Sequence, residues 1–154
     1  MEPADAGVYK SSIRKRWTLE SRKAQMPRVK LLTRYLLGVF FVIAGVNHFV
    51  NTAAYVGIMP AYLPWHLELV YLSGGAEIAL GALLLVQRYA AWAAWGLVAL
   101  CVAVLPANVN MAMQPELYPS IPPIALWLRL PAQGLLIAWA WWYTREQALP
   151  RASR

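Results

Sequence analysis

The sequence predicts an all-α fold: an integral membrane four-helix bundle with both termini cytoplasmic. Three observations predict it. The 154 residues are 60% hydrophobic and only 14% charged, where a soluble domain carries about 25% charge. From Tyr35 to Thr144 the only charged residues are Glu68, Glu77, Arg88, Glu116 and Arg129. The basic residues also alternate between the connections instead of spreading along the chain.

The apolar runs give four spans, at about residues 29–50, 67–86, 89–110 and 127–144. Each is near the ~17–25 residues needed to cross ~30 Å of hydrocarbon at ~1.5 Å per residue. A basic tail (1–28) precedes the membrane domain (29–144), and a short tail (145–154) follows it. The tail 1–28 reads as a topology signal, without fixed structure or as a short interfacial helix on anionic lipid. It does not read as a cleavable signal peptide. The basic stretch is too long, and no small-residue cleavage site follows the first apolar run.

The loops orient the spans. Nine of the fourteen basic residues lie in the first 34 positions. The connection 51–66 has no Lys or Arg, the tight second connection has Arg88, and 111–126 again has none. Arg145, Arg151 and Arg154 end the chain. Thirteen basic residues thus fall on one side, with Arg129 the exception, so by the positive-inside rule both ends face the cytoplasm. This explains the net charge of +7 better than nucleic-acid binding, which we do not expect. The bilayer expected is a bacterial cytoplasmic (inner) membrane. Tyr62, Trp65, Tyr118 and Trp127 would edge its outer face, and Trp92, Trp141, Trp142 and Tyr143 its inner face. Pro60 and Pro64, then Pro115, Pro119, Pro122 and Pro123, stiffen the outer connections. They read as rigid connectors, with a short lid over the bundle as the alternative.

Glu77 is the only charge between Leu69 and Gln87. An ionised side chain at a bilayer midplane costs roughly 2.5–3.5 kcal/mol on insertion scales, so it should face the bundle. Ser73, Gly74 and Gly81 share its face and suggest a close helix neighbour. Gly134 and Ala138 make a similar small pair on the fourth span. Pro106 leaves a carbonyl near Val102 without its helical partner. When the spans are aligned by depth, Asn47 and His48, Asn108 and Asn110, and Arg129 and Gln133 all join Glu77 in the outer half. The inner half reads as almost purely apolar and aromatic. Glu77, His48, Asn47, Asn108, Arg129 and Gln133 are therefore the candidate ligand-binding residues. Glu77 is also the candidate proton donor or acceptor. Each has a structural alternative: a hydrogen-bonded acid, an interfacial histidine, a snorkelling arginine or interhelical amide glue.

Cys101 is the only cysteine. No intrachain disulfide, CxxC pair or Cys/His metal spacing exists, so a membrane thiol oxidoreductase is excluded and no metal is expected. Cys101, Met111 and Met113 read as packing residues.

Four segments resemble the DoxX-like family of small membrane proteins: Ala44-Gly45-Val46-Asn47-His48-Phe49, Gly74-Gly75-Ala76-Glu77-Ile78 with Gly81, Pro106-Ala107-Asn108-Val109-Asn110-Met111, and Arg129-Leu130-Pro131-Ala132-Gln133. The resemblance covers about residues 31–144 and leaves out the N-terminal tail. It implies a four-helix bundle with both ends cytoplasmic. Some members are linked to quinone-coupled oxidoreductase complexes, including thiosulfate oxidation. The fold is also similar to the emopamil-binding-protein superfamily, which holds sterol-like ligands between its helices. Fold alone does not give function.

The expected function is binding of a lipophilic ligand, a quinone first among candidates, as a subunit of a membrane redox complex. The chain has no redox centre of its own, so electrons would come from a partner protein. The alternatives are a ligand-free assembly subunit, and a small-solute or proton transporter, with a homo-oligomer supplying the path. The topology has a direct check. Alkaline phosphatase fused at the 111–126 connection should be active in a bacterial host, and the same enzyme fused after Thr144 inactive. The reverse pattern would invert the orientation.

Overall fold

The computed structural model describes residues 28–119 and 121–145. Apart from Arg28 and Arg145, the expected tails lie outside the described residues. Four long helices carry the fold: α1 (Arg28–Val50), α3 (His66–Leu85), α4 (Ala90–Met113) and α5 (Pro123–Trp141). A short helix, α2 (Thr52–Gly57), follows α1, and a 3₁₀ turn at Pro115–Leu117 follows α4. All four long helices are long and apolar enough to cross a membrane. Their outer surface is apolar too: Ile43, Leu72, Trp92 and Leu135 are each at least 65% exposed. A water-soluble bundle would put polar groups there, so the surface is compatible with contact with a lipid bilayer.

The helix ends differ from expectation where proline is concerned. α5 begins at Pro123, four residues before the expected start at 127. Proline is favoured in the first helical turn because the missing N–H has no partner there anyway. Pro122 and Pro123 thus start the helix instead of merely stiffening the loop. Pro106 and Pro131 sit inside α4 and α5. α4 runs on past Asn110 to Met113. Trp65 enters α3 with φ of 56°, the one positive φ outside glycine among the described residues, and stands exposed at the loop end.

The tightest contact is between α1 and α3, and glycine makes it. A Cβ on Gly74 would lie 2.7 Å from His48 Cβ and 3.0 Å from the Gly45 carbonyl oxygen. One on Gly81 would lie 2.7 Å from the Gly38 carbonyl oxygen and 3.0 Å from the Val42 nitrogen. No real Cβ tolerates the shorter of these distances. The two backbones therefore touch along two helical turns, as small residues allow in membrane bundles. Gly134 behaves differently: a Cβ there meets nothing within 4 Å, and Gly134 and Ala138 are both exposed. The expected small pair on α5 makes no close approach within this chain. Met113, expected to pack, is 70% exposed, whereas Met111 and Cys101 are buried.

The half of the bundle nearer the termini is filled. Leu37, Leu84, Ala90, Ala94, Leu97, Ala140 and Tyr143 are fully buried in one cluster. Tyr143 is thus core, not an edge aromatic. This half also holds polar groups that the sequence did not lead us to expect. Arg34 is 1% exposed, and its Nη1 donates to Gln87 Oε1 in the turn between α3 and α4. Tyr143 Oη shares a 2.6 Å hydrogen bond with Thr33 Oγ1 and donates to the Lys30 carbonyl at 3.3 Å. Its chain end would otherwise be a buried hydroxyl with no partner, which is costly.

The glycine contact makes a stability prediction. Gly74→Leu or Gly81→Leu must push α1 and α3 apart and should destabilise the fold by about 1–3 kcal/mol, as overpacking does. Gly134→Leu should stay within about 0.5 kcal/mol of the parent. Reversible unfolding in mixed micelles reads both.

Candidate functional site

Glu77 lies on α3 between Gly74 and Gly81, so it inherits the face that touches α1. Gly45 seats the α1 backbone there, and His48 follows it by one turn. The consequence is a carboxyl beside an imidazole: Glu77 Oε2 lies 3.6 Å from His48 Nδ1. Both residues are buried, at 9% and 8% exposure. The separation is longer than a hydrogen bond. Oε2 has no hydrogen-bond partner among the described residues. His48 Nδ1 instead donates to the Ala44 carbonyl at 3.0 Å. A carbonyl only accepts, so Nδ1 carries the hydrogen.

The connection after α1 folds back over this pair. Thr52 Oγ1 donates to the His48 carbonyl at 2.8 Å and ties α2 to the end of α1. Tyr55 on α2 then stacks on the His48 ring, with centroids 3.8 Å apart. Asn47 Nδ2 donates to Tyr55 Oη at 2.8 Å and holds the phenol in place. Tyr118 in the other connection donates to the Gly57 carbonyl at 3.1 Å, joining the two loops. The 51–66 connection therefore roofs the bundle with Tyr55, Ile58 and Met59.

Beneath that roof is a cavity of about 370 Å³, within the ~300–1,000 Å³ range of ligand pockets. Glu77, His48, Asn108, Arg129 and Gln133 all line it, between apolar walls from Phe40, Phe41, Val70, Val104 and Leu136. Five of the six expected residues thus converge. Asn47 is the exception. It is exposed and lines a separate outer vestibule of about 540 Å³ with Asn51 and Tyr118. Tyr55, Ile58 and Arg129 line both spaces and form the partition between them.

The amides are already occupied. Asn108 Nδ2 donates to Gln133 Oε1 at 2.5 Å, and Gln133 Nε2 donates to the Cys101 carbonyl. Pro106 cannot donate to Val102, and Gln133 serves a carbonyl in that same disturbed turn. Asn108 and Gln133 therefore hold α4 to α5 first and present to the cavity second. Arg129 Nη1 points to Met111 Sδ at 3.8 Å, a weak acceptor. No carboxylate lies within 4 Å of its guanidinium among the described residues.

Chemically the site offers a carboxyl oxygen with no partner among the described residues, an imidazole ring beside it, and a guanidinium at the edge that donates. A ligand with a hydroxyl could satisfy Glu77, and the carboxyl–imidazole pair could take up or return its proton. Among the described residues no three His, Cys, Asp or Glu side chains gather as a metal centre would need. Tyr55, Phe40 and the Arg34–Gln87 pair were not singled out from the sequence. The segment Thr52–Gly57 is too short to show helical periodicity, and Arg34 looks like one more residue of a basic tail.

The amide network carries a prediction. Asn108→Ala and Gln133→Ala should each cost about 0.6–2 kcal/mol, the range for interhelical hydrogen bonds in membranes. The double variant should cost clearly less than their sum, because the two side chains share one network. A double-mutant cycle by reversible unfolding measures the coupling.

No curated protein and no solved structure matches the chain. A family model described as "Domain of unknown function (DUF8561)" matches residues 37–144, which takes in every side chain lining the cavity. With more than half of its length matched, cavity included, the chain belongs to the DUF8561 family.

Proposed function

We propose that the protein is an integral membrane, DoxX-like protein that binds a lipophilic ligand in this cavity. In this reading the chain lies in a bacterial cytoplasmic membrane with both termini inside. The loop end of the bundle then faces outward. The observation that carries the reading is the unpartnered Oε2 of buried Glu77, set beside His48 in an otherwise apolar cavity. A buried polar atom with no partner costs about 1–3 kcal/mol. A ligand hydroxyl would remove that cost.

The ligand best suited is a ring with opposed oxygen functions, a quinone or its quinol. One oxygen would meet Glu77 and His48, and the other would take a hydrogen bond from Arg129. The chain contributes binding and a proton site, while electrons come from a partner protein. Transport fits less well, because the filled core around Leu37, Leu84 and Leu97 stands between the cavity and the terminal end. The ligand-free assembly reading gains from one observation: Asn108, Gln133 and the Cys101 carbonyl satisfy one another without a ligand. No such closure exists at Glu77.

Glu77→Gln separates the two readings. The amide keeps the shape and removes the carboxyl. We expect the variant to insert and fold normally but to lose bound lipophile in native mass spectra, and to bind the quinol decylubiquinol at least about tenfold more weakly. Equal binding by both proteins would sink the role given to Glu77, and loss of folding with no ligand in either would favour the assembly role.

A further inference from the structure

The four long helices form an open ring. Backbones approach closely between α1 and α3, between α3 and α4, and between α4 and α5, but α1 and α5 have no comparable contact. What joins these two helices is at the terminal end, where Tyr143 meets Thr33 and the Lys30 carbonyl. Nearer the loop end both helices line the cavity, with Phe40 and Phe41 from α1 and Ala132 and Leu136 from α5.

Exposure locates the gap. Three of the side chains that line the cavity are exposed: Phe40, Arg129 and Ala132. All three stand on α1 and α5. The lining residues of α3 and α4 are buried or half-buried. The floor is closed by the packed core, and Tyr55 and Ile58 close the roof. A shallow, mostly apolar groove continues outward from the gap along α1, sharing Phe40, Ala44 and Tyr55 with the cavity and adding Ile43, Val46 and Asn47.

We infer that the cavity opens sideways, through the seam between α1 and α5, into the hydrocarbon of the bilayer, and that its ligand is a tailed lipid. The polar head lies beside Glu77 and His48. The chain leaves over Phe40 and Ala132 and stays in the membrane. An apolar chain in that seam continues over Phe40, Ile43 and Val46, whereas a route through the vestibule continues past Asn51 and Tyr118; Arg129 and Asn47 flank both routes. The seam thus selects molecules already dissolved in the bilayer and admits a tail of any length, because the tail is not enclosed. This rests on the reading that the helices span a bilayer and that the cavity holds a ligand.

Cys101, the only cysteine, lines the cavity and reports on its mouth. The full chain is reconstituted in phosphatidylcholine vesicles and treated with N-(1-pyrenyl)maleimide, which partitions into the bilayer, or with charged 2-sulfonatoethyl methanethiosulfonate. We expect the pyrenyl reagent to modify Cys101 and the charged one not to. Ala132→Trp, which fills the seam from an exposed position, should slow the pyrenyl reaction at least about tenfold, with unchanged helicity. Faster labelling by the charged reagent, no labelling by either, or no effect of Ala132→Trp would overturn the sideways opening. A binding arm tests the tail. Ala132→Trp should weaken decylubiquinone at least about tenfold and leave the tailless 2,3-dimethoxy-5-methyl-1,4-benzoquinone unchanged. Equal losses for both would overturn the tailed-lipid assignment. If neither quinone binds the parent chain while the labelling pattern holds, the ligand reading fails and the lateral opening stands.

Discussion

The contact between α1 and α3 is the constraint on which the rest of the structure depends. Gly38, Gly45, Gly74 and Gly81 let two backbones touch where any side chain would hold them apart. That approach sets the rotation of both helices. It turns Glu77 inward from α3 and brings His48 to it from α1, one turn beyond Gly45. In a bilayer no hydrophobic force drives helices together, since lipid tails are as apolar as leucine. Close backbone packing and a few polar contacts must do that work. The carboxyl and imidazole are neighbours because glycine put them there, not because they attract each other across 3.6 Å.

The two ends of the bundle then take different roles. Near the termini, side chains fill the interior, and the polar groups present are tied to each other: Arg34 to Gln87, and Tyr143 to Thr33. Near the loops, Pro106 disturbs α4, Gln133 bonds to the neighbouring Cys101 carbonyl, and the helices leave a space. The roof over that space comes from a segment with little regular structure of its own. Thr52, Asn47 and Tyr118 hold it down through four hydrogen bonds to or from loop and helix ends. A rigid half thus supports a hollow one. A binding site needs that arrangement, because its walls must be placed by something that does not move with the ligand.

Polar residues in the hollow half fall into two kinds once their partners are known. Asn108 and Gln133 are satisfied by protein, so their removal is first a matter of stability. Glu77 and Arg129 are not satisfied in the same way, and they mark opposite ends of the cavity's chemistry, one accepting and one donating. His48 stands between, with one nitrogen committed to Ala44 and stacked under Tyr55. The distinction matters for reading any substitution here. A change at Gln133 reports on the bond between α4 and α5, whereas a change at Glu77 reports on the ligand proposed for the cavity.

The helices and their apolar surface were legible in the chain before any folding. Runs of about twenty apolar residues with few charges have one economical arrangement in a bilayer, so length and composition suffice. The buried face of α3 was legible too, because Gly74, Glu77 and Gly81 recur at helical spacing. Five of the six candidate residues do share one cavity, since depth along each span is readable by counting residues. Tertiary structure alone decided the remainder. Which helices touch depends on how faces from distant segments fit, and Gly134 shows that a small residue does not guarantee a neighbour. Asn47 fell outside the cavity because rotation at a helix end, not depth, decides where a side chain stands. Tyr55 and the open seam between α1 and α5 have no periodic signal at all. They exist only once the ring of helices is assembled and one pair fails to close.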